Sequence, residues 1–229
     1  MFKQFGAGDF TNRPSDHRGM LGSGQLDSLV ALERIGARRS FVRDHEIYSE
    51  GDVADCWFKV VSGAVRICKL LPDGRRHIAE FCFAGDCFGL DREAERLFAA
   101  EAVCDVVVMR YPRRATDQQI DRDPRLAMSL CEMTLRDLAH AQTRMLVLGR
   151  MTASERVANF LLELADRRDA RRVLDLPMSR IDIADYLGLT IETVCRVLSS
   201  FKRDGVIAIP NPHRIELIER DALELACEA

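Results

Sequence analysis

Three textures follow one another along this chain of 229 residues. From Phe41 to Tyr111, short apolar runs are cut by turn residues, as in EIYSEGD, CWFKVVSGAVRICKLLPDGRRHIAEFCFAGDCFGL and EAVCDVVVMRY. Val60, Val61, Val65, Ile67, Ile78 and Phe81 are strand formers, and Ser62-Gly63, Asp73-Gly74 and Ala84-Gly85-Asp86 place tight turns between them. Turns at spacings of about ten residues predict an antiparallel sandwich or roll, whose interior is a natural place for a ligand. From about Thr116 to Leu148 the period becomes helical. Ala127, Cys131, Thr134, Leu138, Ala141, Met145 and Leu148 form a seam in steps of four and three, and Leu126, Leu130 and Met133 form a second stripe beside it. One stripe can face the roll and the other a second subunit; the alternative is a single wide stripe facing the core of a monomer. Gly149 and the following residues interrupt the seam, and Thr152 or Ser154 can cap a new helix carrying Val157, Phe160, Leu161 and Leu164. Ahead of these segments, residues 1–24 carry no period and predict a mobile arm, and Leu26, Leu29, Val30, Leu32 and Ile35 predict a short amphipathic helix ended by Gly36.

Composition narrows the chemistry. With 47% hydrophobic residues and a formal charge of −3, the chain can build a core. No apolar stretch approaches a membrane span and no apolar run follows the start, which predicts a cytoplasmic protein. Eight scattered cysteines without a CxxC predict reduced thiols rather than a disulfide framework or structural zinc. The five histidines are isolated, and HExxH, GxSxG and GxxxxGK[ST] are all absent, so the chain offers no catalytic constellation and is not expected to be an enzyme.

The informative stretch is PMSRIDIADYLGLTIETVCRVL, residues 177–198. Ser179 with Asp182 resembles a capping box, Ile183, Ala184 and Leu187 give the first helix a buried face, and Gly188 ends it in a left-handed turn. Thr190 can cap a second helix with Val194, Val197, Leu198 and Phe201 inward and Ile191, Glu192, Cys195, Arg196, Ser199 and Lys202 outward. That is helix-turn-helix spacing, in which the second helix enters the major groove of DNA. Glu192 can accept from a cytosine amino group while Arg196 reaches guanine, Ile191 can meet a thymine methyl, and Ser179, Thr190, Ser199 and Lys202 are placed for phosphate. The alternative is a small helical hairpin whose Glu192 and Arg196 form a solvated ion pair. Charges over 178–205 balance, so any attraction for DNA is local and salt-sensitive. VIAIP and HRIELIE then predict a hairpin, the wing of a winged helix-turn-helix.

With EGD, VVSGAVR, DGRR, GDCFGL, ERVANFLLELA and DIADYLGLTIETVCRVLSSF in this order, residues 26–220 resemble the CRP/FNR superfamily of bacterial transcription regulators. The resemblance implies an α+β fold. It divides the chain into the arm at 1–24, a sensor-like β-roll at 25–114, a dimerisation helix at 115–149 and a winged helix-turn-helix DNA-binding domain at 150–229. It also implies base contacts from Ile191, Glu192, Cys195 and Arg196, with Cys195 where the E-x-x-S-R signature of FNR-type members has Ser. A dimer interface through Cys131, Thr134, Leu138, Ala141, Met145 and Leu148, a TTGA-N6-TCAA-type palindrome and recruitment of RNA polymerase follow from the same likeness. No Cys precedes Cys56, unlike iron–sulfur members, and Gly89-Leu90-Asp91 and Ala99-Ala100-Glu101-Ala102 stand where cyclic-nucleotide binders carry their ribose and phosphate motifs. Glu101 would repel an anionic nucleotide. The pattern with neither cofactor resembles the FixK-like subgroup, implying an activator of microoxic respiration or nitrogen-fixation genes that works as a homodimer without cofactor.

Two readings of Cys195 stand. It is a small inert residue in place of Ser, or it is redox-sensitive, its oxidation setting negative charge against phosphate. The competing reading of the whole is a ligand-gated sensor of the same superfamily with haem or another small molecule in the roll, for which His77 is the candidate axial ligand, although a lone His after DGRR is more commonly a surface side chain.

Overall fold

A computed structural model of the chain describes residues 32, 34–91 and 93–227. The predicted arm, and positions 26, 29 and 30 of the predicted first helix, lie outside them. Leu32, from that segment, is buried against Trp57, Tyr111 and Leu126.

The apolar runs become eight strands: β1 (Ala37–Phe41), β2 (Glu46–Tyr48), β3 (Cys56–Ser62), β4 (Ala64–Leu70), β5 (Arg76–Phe83), β6 (Cys87–Phe88), β7 (Ala99–Ala102) and β8 (Val106–Pro112). They pair antiparallel in two sheets, ordered β1-β8-β3-β6 and β2-β7-β4-β5. Alternate side chains, among them Tyr48, Phe58, Val60, Val65, Phe88, Ala100, Ala102 and Val108, fill the space between the sheets. The β3–β4 turn demands its glycine: Gly63 has φ +88°, and a Cβ there would lie 2.5 Å from the Asp105 carbonyl oxygen.

The helical period expected as one helix over 115–149 is two helices, α1 (Arg113–Arg122) and α2 (Pro124–Arg150). Pro124 disfavours helical backbone at the residue before it, and Asp123, extended at φ −135°, instead caps α2 by accepting from the Arg125 amide. α1 is pinned to the roll where the Trp57 indole donates to Thr116 Oγ1 at 3.0 Å.

After α2 come α3 (Ala153–Arg167), capped by the reciprocal Thr152 and Glu155 bonds, β9 (Val173–Asp175), α4 (Arg180–Leu187), α5 (Ile191–Arg203), β10 (Ile207–Asn211), β11 (Arg214–Leu217) and α6 (Arg220–Leu225). The wing is a three-stranded sheet, β10-β11-β9, rather than the expected hairpin, since β9 joins its edge. A continuous core runs from this unit into the outer face of the second sheet. Cys68, Ile78 and Phe81 of the roll belong to the same cluster as Phe160, Leu164 and Tyr186, with ring centroids 5.0 Å apart for Phe81 and Tyr186. Strand-forming residues that predict a roll interior thus also glue the roll to the helical unit.

Candidate nucleic-acid interface

The turn between α4 and α5 is built by local chemistry. Ser179 Oγ accepts from the Asp182 amide at 3.1 Å while Asp182 Oδ2 accepts from the Ser179 amide at 3.0 Å, satisfying two donors that a helix start leaves open. Gly188, at φ +62°, closes α4 in the left-handed conformation. Thr190 Oγ1 accepts from the Thr193 amide and opens α5.

On α5, Val194, Leu198 and Phe201 are buried and Val197 is half-buried, while Glu192, Cys195, Arg196, Ser199 and Lys202 are all exposed along one face. Among the described residues, no ion pair joins Glu192 to Arg196. Glu192 instead turns toward the helix start, where its own amide and the Thr190 hydroxyl hold its carboxyl below the usual range. The solvated ion pair of the hairpin alternative is thus not formed. Two expected contacts look different in place. Ile191 is half-buried and packs on the core, and the Ser179 hydroxyl already donates to Asp182 Oδ2 at 2.8 Å. Arg180 received no role from the sequence. It sits beside Cys195 with its Nη1 buried and without a hydrogen-bond partner, and burial lowers its guanidinium from the ordinary value. Only its place directly after the cap Ser179 could have signalled it.

Along α2 the two stripes part. Leu126 is buried against the roll, with Leu130 and Met133 half-buried, whereas Cys131, Thr134, Leu138, Ala141 and Met145 are exposed and Leu148 is half-buried. Met128, Leu135 and Leu146, at 64%, 58% and 65% exposure, widen the bare apolar face and were missed by the seam of fours and threes.

Inside the roll, the rings of Tyr48, Phe58 and Phe88 stack with centroids 5.1 to 6.1 Å apart. Arg96 lies on them, its guanidinium carbon 4.3 Å from the Tyr48 ring centre. That guanidinium donates to the carbonyls of Gly89 and Cys56 and pairs with Asp91 at 3.1 Å. The expected repulsion of a nucleotide by Glu101 is therefore wrong in its residue. Ala100 and Ala102 point inward, so by alternation Glu101 points out, where it meets Arg66 at 2.7 Å. These residues do not fit a cyclic nucleotide: aromatic rings fill the interior and its arginine is already neutralised. His77 is half-buried rather than at the surface, on the side facing Arg144 and the Asp185 backbone.

None of the eight cysteines is in a disulfide. Burial pushes the Cys68 thiol up to about 12 and also raises that of Cys82, whereas Cys131 and Cys195 are exposed. Among the described residues there is no group of three or more His, Cys, Asp or Glu able to hold a metal, and no helix long and apolar enough to cross a membrane.

Residues 38–123 match the cyclic nucleotide-binding domain family, and residues 155–226 match the Crp-like helix-turn-helix domain family. The nitrogen fixation regulation protein FixK of Azorhizobium caulinodans is 42% identical, covering 90% of this chain and 85% of that protein. The transcriptional activator protein FnrL of Cereibacter sphaeroides is 34% identical, covering 88% and 85%. The structure of FixK2 from Bradyrhizobium japonicum superposes with a TM-score of 0.82 at 42% identity, covering 85% of this chain and 98% of that one. With its roll, its exposed long helix and its free recognition face, the chain belongs to the CRP/FNR family of helix-turn-helix transcription regulators.

Proposed function

We propose that the protein is a cytoplasmic, homodimeric activator that binds a TTGA-N6-TCAA-type palindrome without cofactor and controls genes of microoxic respiration or nitrogen fixation. The observation that carries this reading is the outward face of α5, on which Glu192 and Arg196 are both exposed and are not paired with each other. In the complex Glu192 accepts from a cytosine amino group, Arg196 donates to guanine O6 and N7, and Cys195 lies between them. Ile191 contributes its outer edge to a thymine methyl, and Thr190, Ser199, Lys202 and Ser179 meet phosphates. Ser179 does so only by exchanging its bond to Asp182.

The bare stripe on α2 supports the dimer, because an apolar helix face of this length is stable in water when a second copy covers it. The filled roll supports cofactor independence. The regulon comes from the likeness to FixK and FnrL, and recruitment of RNA polymerase from the family. Hydroxyl-radical footprinting tests the arrangement: a dimer protects two tracts centred about one helical turn apart. A single protected tract at saturating protein would overturn it.

A further inference from the structure

The first helix of the DNA-binding motif, α4, is gripped at both ends by arginines from other parts of the chain. At its start, one buried carboxylate serves two masters. Asp182 Oδ2 closes the capping box with Ser179, while Oδ1 accepts from Arg66 of β4 at 3.3 Å and from Arg76 of β5 at 2.5 Å. Arg76 also reaches Asp185, a turn along α4, at 2.8 Å. Arg66 is itself fixed from behind by Glu101 of β7 at 2.7 Å and Asp44 at 3.1 Å. At the other end, Arg144 of α2 donates to the Tyr186 carbonyl at 2.9 Å and lies over its ring, 3.7 Å from the centre. Arg156 of α3 ties α4 to the end of α2, donating to the carbonyls of Leu148 and Met151 at 2.9 Å and of Leu187 at 3.1 Å.

A helix tied at one end can swivel; one tied at both ends to two different elements cannot. Removing one partner of a buried charge cluster leaves the others desolvated and unpaired, so this grip favours one orientation of the motif strongly over its neighbours. A dimer reading two half-sites gains most from such rigidity, because a loosely hung domain accepts many separations and loses ordering entropy when the second half-site engages. We propose that the Arg66–Arg76–Asp182–Asp185 cluster acts as a spacing ruler: it positions α5 relative to the dimer helix and so determines which separation between half-sites the protein accepts. The inference rests on the dimeric DNA-binding reading above. None of the cluster's side chains belongs to the outward face of α5, so Arg76 and Asp185 are positioning residues rather than base-reading ones.

The test uses the full chain, wild type, Arg76→Gln and Asp185→Asn, titrated by fluorescence anisotropy against three kinds of duplex: the palindrome, palindromes with the spacer one or two base pairs longer or shorter, and a single half-site. Both substituted side chains are only about a quarter exposed, so thermal melting accompanies each titration. Wild type is expected to prefer the native spacing by more than about tenfold, and both variants to reduce that preference severalfold while keeping the wild-type affinity for the single half-site. A folded variant with the wild-type spacing preference would overturn the ruler. So would equal loss on half-site and palindrome, which would mean that the cluster only supports α5. If either variant fails to fold, the other decides. If wild type prefers no palindrome over scrambled DNA, the dimeric DNA-binding reading falls first and the ruler with it.

Discussion

Arg196→Ala separates base reading from general attraction to DNA. The side chain is exposed and, among the described residues, in no ion pair or hydrogen bond, so its truncation leaves nothing buried and unpaired. The free protein should keep its stability to within about 0.5 kcal/mol, as exposed substitutions do. In the complex, a bidentate arginine–guanine contact discriminates by about 1 to 3 kcal/mol, and a homodimer makes it twice. The loss at the palindrome is then about 2 to 6 kcal/mol, roughly thirtyfold to twenty-thousandfold in affinity, with a much smaller loss on scrambled DNA, where the guanidinium is only one positive charge among several. Anisotropy titrations on both duplexes at one fixed salt concentration read the two losses, and a thermal melt checks the fold. Equal weakening on palindrome and scramble would refute the base contact, and a drop in melting temperature would show that Arg196 supports the fold instead.

Three further outcomes follow from the geometry. Leu135→Glu and Leu138→Glu each place a carboxylate in the stripe assigned to the dimer and forfeit about 1.5 to 3 kcal/mol of apolar burial per copy, so sedimentation equilibrium should show dimer association weakened at least about a hundredfold, with the monomer still folded. Gly63→Ala should cost clearly more than Gly74→Ala in urea denaturation. Both have positive φ, worth about 1 kcal/mol or more, but only at Gly63 does a Cβ meet backbone, at 2.5 Å, whereas nothing lies within 4 Å at Gly74. Peroxide should weaken DNA binding through Cys195, next to Arg196, so Cys195→Ser should resist it and Cys131→Ser should not; equal loss in wild type and Cys195→Ser would leave Cys195 as an inert stand-in for Ser.

What the sequence revealed was local. Gly63, Gly74 and Gly85 mark turns because their backbones need φ above zero, and the Ser179–Asp182 box and Gly188 bracket α4 through bonds spanning a few residues. These signals, with the outward face of α5, made the DNA-binding motif readable. The rest depends on partners far apart in the chain. Alternation along β5 and β7 says that two faces exist, not which one meets the roll interior, so the direction of Glu101 and the role of Phe81 in the shared core were out of reach. Arg66, Arg96 and Arg144 have no partner signalled by neighbouring residues, and only the fold brings Asp182, Asp91 and the Tyr186 ring to them. β9 has three residues, of which Leu174 alone is buried, too few for a period to declare itself. The break before α2 was legible in principle, since Asp123-Pro124 is a cap followed by a first-turn proline.

The central claim is selective DNA binding with no ligand in the roll. Its most direct measurement is an anisotropy titration of the purified, cofactor-free protein against a TTGA/TCAA palindrome and a scrambled duplex, under reducing conditions at one stated salt concentration. Selective binding of the palindrome by the untreated protein, unchanged when cyclic nucleotide or haem is added, is the predicted result. Selectivity that emerges only after such a ligand is supplied would contradict it and make the roll a working sensor.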